Sequence, residues 1–110
     1  MRHLFGSFVG LLTVAMISGG ALGADLQAGR EKAQAVCQTC HGLDGQSSIA
    51  GSPNLSGQNE DYIMIQLKAY RAGKRQHPQM SIIAQMLSDD DIDNVAKWYS
   101  SIKITVELPD

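Results

Sequence analysis

The chain has 110 residues, of which 44% are hydrophobic and 18% charged, a length and composition suited to one soluble globular domain. The formal net charge is -2, so nothing predicts the basic face of a nucleic-acid-binding protein, and no nucleic acid is expected as a partner. The two cysteines could form at most one disulfide, and they lie too close in sequence to staple a fold.

The N-terminus has the layout of a secretory signal peptide: a short basic start, an apolar run over residues 4–17, and then small residues. Cleavage after Gly23 satisfies the rule of small residues at the cleavage site, whereas cleavage after Ala24 does not. An uncleaved membrane anchor is the alternative, but it needs roughly 20 apolar residues, and this run is shorter. We therefore expect residues 1–23 to be a cleaved leader and residues 24–110 to be an exported, periplasmic domain without stable membrane insertion.

Three amphipathic helices are predicted in the remaining chain, each after a residue that suits an N-cap. With the N-cap in parentheses, they are Leu26–Cys37 (Asp25), about Glu60–Ala72 (Asn59) and about Asp89–Ile102 (Ser88). Their predicted inward-facing residues are Leu26, Gly29, Ala33 and Val36; Ile63, Leu67 and Tyr70; and Ile92, Val95, Tyr99 and Ile102. Ser88 and Asp91 resemble a capping box, and Gly73 is placed to end the second helix.

Two long connections, about 42–58 and 74–87, separate these helices and show neither a helical nor a strand period. Loops of this length are uncommon in compact domains unless they serve a function. A chain that passes around both faces of a large apolar cofactor needs such loops. The pattern predicts an all-α fold of three main helices whose long loops wrap one cofactor.

The cofactor is indicated by Cys37-Gln38-Thr39-Cys40-His41, which reads C-x-x-C-H, the pattern of c-type haem attachment. Two thiols at this spacing can form thioethers with the two vinyl groups of haem. The adjacent imidazole then lies under the iron as the proximal ligand. We expect Cys37 and Cys40 to bind haem covalently and His41 to bind its iron.

Two other chemistries use a C-x-x-C pair. A thioredoxin-like redox pair needs a βαβ context, and the sequence offers no convincing strand. A zinc site needs about four ligands, which Cys37, Cys40, His41 and His77 could supply only with an unusually long gap.

The opposite face of the iron needs a sixth ligand or stays open, and four residues are candidates: Met64, His77, Met80 and Met86. Met64 lies within a predicted helix, where methionine more often fills the core. Position favours Met80, which follows Pro78 in an irregular stretch and can point inward without helical constraint. Met86 could instead make a contact just before the third helix.

With these motifs together, the sequence resembles the class I c-type cytochromes, and in particular short bacterial monohaem forms and single domains of dihaem forms. The segments that match are Cys37–Gly45, Pro53–Gln58, Tyr62–Lys74, Met80 and Leu87–Ile92. The resemblance spans nearly all of the expected mature chain. It implies the small cytochrome c fold around one haem c, since only one C-x-x-C-H is present.

The resemblance also implies roles for single residues. Met80 matches the axial methionine. Pro53 matches the proline whose carbonyl accepts a hydrogen bond from the proximal histidine, here His41, and such bonds orient a ligand imidazole. Gly29 and Ala33 match positions at which the first helix packs on the last.

The expected function is that of a non-enzymatic carrier that passes single electrons between redox protein partners, with iron cycling between Fe(III) and Fe(II). His/Met ligation favours electron transfer over oxygen chemistry. The alternatives are an electron-accepting subunit of an exported dehydrogenase and an open-site haem protein that senses gas or reduces peroxide. A basic group is a candidate docking patch for partners, or simply a solvated helix end: Lys68, Arg71, Lys74 and Arg75.

Overall fold

A computed structural model describes residues 14–15 and 23–110, so almost all of the predicted leader lies outside the described residues. Over 23–110 the chain forms helices and no strands, as predicted. The helices are α1 (Leu26–Val36), α2 (Gln38–His41), α3 (Glu60–Arg71), α4 (Met80–Gln85) and α5 (Asp89–Ser101). No helix in this part of the chain is long and apolar enough to cross a membrane.

The three long helices begin where the sequence predicts, because local capping side chains define their first turns. Asp25 accepts hydrogen bonds from two backbone N–H groups of α1, and Asn59 accepts one from α3. Ser88 and Asp91 form the predicted capping box at the start of α5. Each long helix ends one residue earlier than predicted, and Gly73 follows α3 with the positive φ of 74° expected there.

The prediction of an irregular connection over 74–87 is wrong, because this stretch contains α4. Six residues are too few to show a clear helical period, and a helix this short depends on tertiary packing. Here α4 packs against α3 and buries Ala84. Met80 is therefore the first residue of a helix, not part of an irregular segment.

Helices α1 and α5 approach each other closely at Gly29. A Cβ atom built on Gly29 would lie 2.0 Å from the backbone oxygen of Asn94 and 3.1 Å from Cβ of Trp98. Glycine is therefore required here by the approach of one backbone to the other, as the predicted packing of Gly29 implies. Leu26, also predicted to face inward, is instead 46% exposed.

The core lies where α1, α3 and α5 meet. Its central cluster of buried residues comprises Ala33, Ile63, Ala96 and Tyr99. Half-buried side chains pack against this cluster, among them Cys37, the first residue of the C-x-x-C-H motif, and Leu43, two residues after the motif. The core thus supports the motif directly from one side.

Candidate haem site

The C-x-x-C-H motif forms a single helical turn. The N–H groups of Cys40 and His41 donate to the carbonyl of Cys37, at 3.3 and 3.0 Å, and α2 ends at His41. Residues three and four apart share one face of a helix, so both thiols and the imidazole lie on the same side of this turn. The two cysteines are free thiols and do not form a disulfide.

The His41 ring is buried, with 8% of the residue exposed, and its orientation is set by one hydrogen bond. Nδ1 lies 2.8 Å from the carbonyl oxygen of Pro53. Because a carbonyl can only accept, Nδ1 carries the proton and donates it, which leaves the lone pair of Nε2 for a metal. This is the contact that the resemblance implies for Pro53.

The loop after α2 brings Pro53 to this position through hydrogen bonds between its first and last parts. The Leu55 N–H donates to the Gly45 carbonyl at 2.8 Å, and the Ser47 N–H donates to Oδ1 of Asn54 at 2.8 Å. Gly45 has a φ of 76°, and a Cβ there would lie 2.4 Å from the Ser56 nitrogen, so this crossing requires glycine.

Two aromatic side chains of α5 anchor the chain just after His41, and sequence reasoning missed this function. Nε1 of Trp98 donates to the Leu43 carbonyl at 2.8 Å, and the Tyr99 hydroxyl donates to the Gly42 carbonyl at 2.9 Å. Buried Trp and Tyr usually find a partner for their polar atom. The presence of Trp98 and Tyr99 in a predicted helix could therefore have indicated such hydrogen bonds, although the sequence does not show which residues accept them.

Burial also affects the acidity of the first thiol. It raises the pKa of Cys37 to about 11, and nearby Lys32 and the Tyr99 hydroxyl offset only part of this rise. The pKa of Tyr99 is likewise raised, first by burial and then by the neighbouring Cys37. In the folded chain without thioethers, Cys37 is therefore a neutral thiol at neutral pH.

The four candidates for the sixth ligand have different surroundings. Met64 is half-buried against the core cluster, as expected for a core filler. Met86 is 55% exposed. Met80 is half-buried at the start of α4, and His77 is exposed just before it, with Nδ1 accepting from backbone N–H groups.

The four residues considered as zinc ligands do not come together. Among the described residues, no three His, Cys, Asp or Glu side chains come together as a metal-binding group, so His77 does not join the C-x-x-C-H donors.

Two of the four basic residues proposed as a docking patch make contacts within the chain. Arg71 donates to the Leu87 carbonyl at 3.1 Å and pairs with Asp89, and it holds the pKa of that carboxyl below its usual value. Arg75 lies over the Tyr70 ring, 4.6 Å from its centroid.

This fold and site agree with a known family. The profile of the cytochrome c family matches residues 26–103, and the chain belongs to that family. It is 37% identical over 100 residues to cytochrome c4 of Pseudomonas aeruginosa, covering 91% of this chain and 49% of that protein. The crystal structure of reduced cytochrome c4 from Pseudomonas stutzeri superposes with a TM-score of 0.69 at 36% identity, covering 79% of this chain and 50% of that one. The chain therefore spans about half the length of these relatives and is similar to a single domain of them.

Other relatives differ in length and in the role their names state. Cytochrome c-554(548) of Halomonas halodenitrificans is 44% identical over 80 residues, which cover 70% of this chain and 95% of that protein. A thiosulfate dehydrogenase electron acceptor of Stutzerimonas stutzeri is 42% identical over 71 residues, which cover 64% of this chain and 33% of that protein.

The family carries covalently bound haem c, and the donors present here fit that group. Cys37 and Cys40 are unpaired thiols on one face of a helical turn, and His41 on the same face has Nε2 left for iron. One such motif stands in the chain, so the cofactor of this class I c-type cytochrome is one haem c with its iron.

Proposed function

We propose that the chain is a monohaem electron carrier in which Cys37 and Cys40 would hold the haem, while His41 and Met80 would bind its iron. The observation that carries this proposal is the His41–Pro53 hydrogen bond, because it presents a fixed imidazole beside two free thiols. The bound haem supplies an Fe(III)/Fe(II) couple that takes up or releases one electron. The chain itself makes or breaks no substrate bond in this role.

The residues of the proximal side favour fast electron transfer because hydrogen bonds fix their orientation. His41 is fixed at Nδ1 by Pro53, and the carbonyls after it are held by Trp98 and Tyr99. A ligand held in one orientation in both oxidation states keeps structural rearrangement small. A thioether from Met80 on the other side would raise the reduction potential and favour electron transfer over oxygen chemistry.

The ligand assignment is tested by the near-infrared absorption of the oxidised protein, in which methionine ligation gives a weak charge-transfer band. We expect the band in the wild type, its loss in Met80→Leu, and its retention in Met86→Leu. Met86 is the matched control because it is a methionine of the same segment whose side chain is exposed. A high-spin spectrum in the wild type at neutral pH would favour the open-site alternative and contradict this proposal.

We further propose that residues 1–23 are removed on export and that the domain of residues 24–110 works in the periplasm. The basic and then apolar start of the chain supports this proposal. The intact mass of the protein purified from its native host tests it. A mass that includes Met1 would contradict the cleavage.

A second candidate function is that of electron acceptor for an exported dehydrogenase. The relative named as a thiosulfate dehydrogenase electron acceptor supports it, because 64% of this chain aligns with that protein. Stopped-flow mixing of the oxidised protein with a thiosulfate dehydrogenase and thiosulfate should then reduce the haem within the enzyme's turnover time. Reduction only by small-molecule donors would leave the free carrier as the supported function.

Docking of an acidic partner is tested on the two lysines of the basic group. Lys68 and Lys74 are exposed, whereas Arg71 and Arg75 also serve contacts within the chain. Lys68→Gln with Lys74→Gln should slow electron transfer from a partner at low salt, and the difference should shrink as salt is added. Equal rates for this variant and the wild type at low salt would show that this surface is not used.

A further inference from the structure

His77 makes an unusual set of hydrogen bonds with the turn that leads into α4. Its ring nitrogen Nδ1 accepts from the backbone N–H groups of Gln79 and Met80, at 3.2 and 3.3 Å. Its carbonyl accepts from the Ser81 N–H at 3.0 Å, and its own N–H donates to the Ser81 hydroxyl at 3.1 Å. The side chain, the carbonyl and the amide of His77 are therefore all bonded to the turn that carries Met80.

This arrangement repeats the geometry of an N-cap. At the start of α1, Asp25 accepts from the N–H groups two and three residues ahead, at 2.8 and 3.0 Å. His77 accepts from the same two relative positions. Gln79, the residue directly before α4, makes no capping hydrogen bond with its side chain. Because Nδ1 accepts here, the ring proton of neutral His77 lies on Nε2.

Pro78 strengthens the same local structure. Proline is favoured at the first position after a cap, because its fixed φ suits a helix and its missing N–H needs no partner there. The sequence His77-Pro78 therefore places a cap and a rigid residue directly before the turn that ends at Met80. A helix of six residues cannot maintain itself in water without such help.

We propose that His77 is the positioning residue for Met80: its Nδ1 holds the backbone of Met80 so that the thioether faces the iron. The inference rests on the proposed ligand role of Met80. His77 is thus not a rival for the iron, as the sequence alone allowed, but the support of the methionine that binds it. It acts through the Met80 N–H and does not touch the metal.

Three variants separate this role from other uses of the ring. His77→Ala removes the acceptor. His77→Asn keeps one, since Oδ1 of asparagine is as many bonds from Cα as Nδ1 of histidine. His77→Gln places its acceptor one bond further out, at the level of Nε2. Asp25→Ala is the matched control, because it removes an equivalent cap from α1, far along the chain from Met80.

The measurement is competition for the iron of the oxidised holoprotein by added imidazole, followed with the near-infrared methionine band. Loss of a typical N-cap should make displacement easier by about fivefold in the apparent dissociation constant of imidazole. We expect this change in the dissociation constant of imidazole for His77→Ala and His77→Gln, and a constant near that of the wild type for His77→Asn. Asp25→Ala should leave the dissociation constant unchanged, although it lowers the unfolding midpoint.

Three results would overturn the inference. The first is a dissociation constant of imidazole in His77→Ala that equals the wild-type value. The second is a wild-type constant in His77→Gln but not in His77→Asn. The third is a change of this constant in Asp25→Ala as large as that in His77→Ala. A wild-type protein without the methionine band would instead refute the ligand role of Met80, and the inference would fall with it. The two failures are distinguishable because the last one shows in the unsubstituted protein.

Discussion

Replacing Gly29 with alanine sets two effects against each other. Helix propensity alone favours alanine over glycine by about 1 kcal/mol in a helix interior. The added Cβ, however, would lie 2.0 Å from the Asn94 backbone oxygen, well inside the 3.4 Å at which ordinary contact begins, so α1 and α5 must move apart locally. The obstacle is backbone and cannot rotate away, so the cost lies near the upper end of the 1–3 kcal/mol typical of overpacking. We expect Gly29→Ala to lower the free energy of unfolding by about 2 kcal/mol net.

Denaturant unfolding of the holoprotein, followed by far-ultraviolet circular dichroism, measures this change. Ala35→Gly is the control, because Ala35 is exposed on the same helix and reports propensity alone, with an expected loss of about 1 kcal/mol. If propensity decided both sites, the two substitutions would change stability in opposite directions. A Gly29→Ala variant more stable than the wild type would refute the close approach of α1 to α5.

Two further predictions concern α5. Tyr99→Phe removes the hydroxyl that donates to the carbonyl of Gly42, the residue directly after His41. It should lower the free energy of unfolding by about 1–3 kcal/mol, measured by denaturant unfolding. An unchanged unfolding midpoint would show that this hydrogen bond does not contribute to stability. Burial raises the pKa of Asp91, but hydrogen bonds with Ser88 and Lys32 outweigh it and lower this pKa below 3.8. The charged carboxylate therefore stabilises the fold above pH 3.8, and this stabilisation is lost as the pH falls through the lowered pKa. Asp91→Asn should therefore be less stable than wild type at pH 7, and the difference in thermal unfolding midpoint should shrink as the pH is lowered below 3.8. A difference that stays constant as the pH falls would contradict this sign.

Features that depend on a few neighbouring residues could be read from the sequence. Asp25, Asn59 and Ser88 start their helices because each side chain bonds an N–H two or three residues ahead, whatever the rest of the fold does. The C-x-x-C-H motif is local in the same sense. Its two thiols, spaced to reach the vinyl groups of haem, and the adjacent imidazole predicted the cofactor.

Helix α4 shows where local reasoning ends. Its residues carry no period long enough to read, and its start depends on His77, a residue type outside the usual set of N-caps. Its stability comes from packing on α3, whose residues are distant in sequence. The sequence therefore placed Met80 wrongly in an irregular stretch, and that placement was the positional reason for favouring it as the sixth ligand. The family resemblance, which matches Met80 to the axial methionine, does not depend on that placement.

The sequence by itself determined the cofactor, the three long helices and the residues that start them, because each follows from spacing within a few residues. The resemblance implied the contact of His41 with Pro53, but only the tertiary structure decided how the chain is held around His41. The Pro53 carbonyl lies beside Nδ1 of His41 because hydrogen bonds within the loop after α2 fold the chain back toward this ring. Trp98 and Tyr99 bond to Leu43 and Gly42, which are more than 50 positions away in the sequence. Trp98 and Tyr99 reach Leu43 and Gly42 only because of how α5 packs in the fold, and no local pattern records that packing.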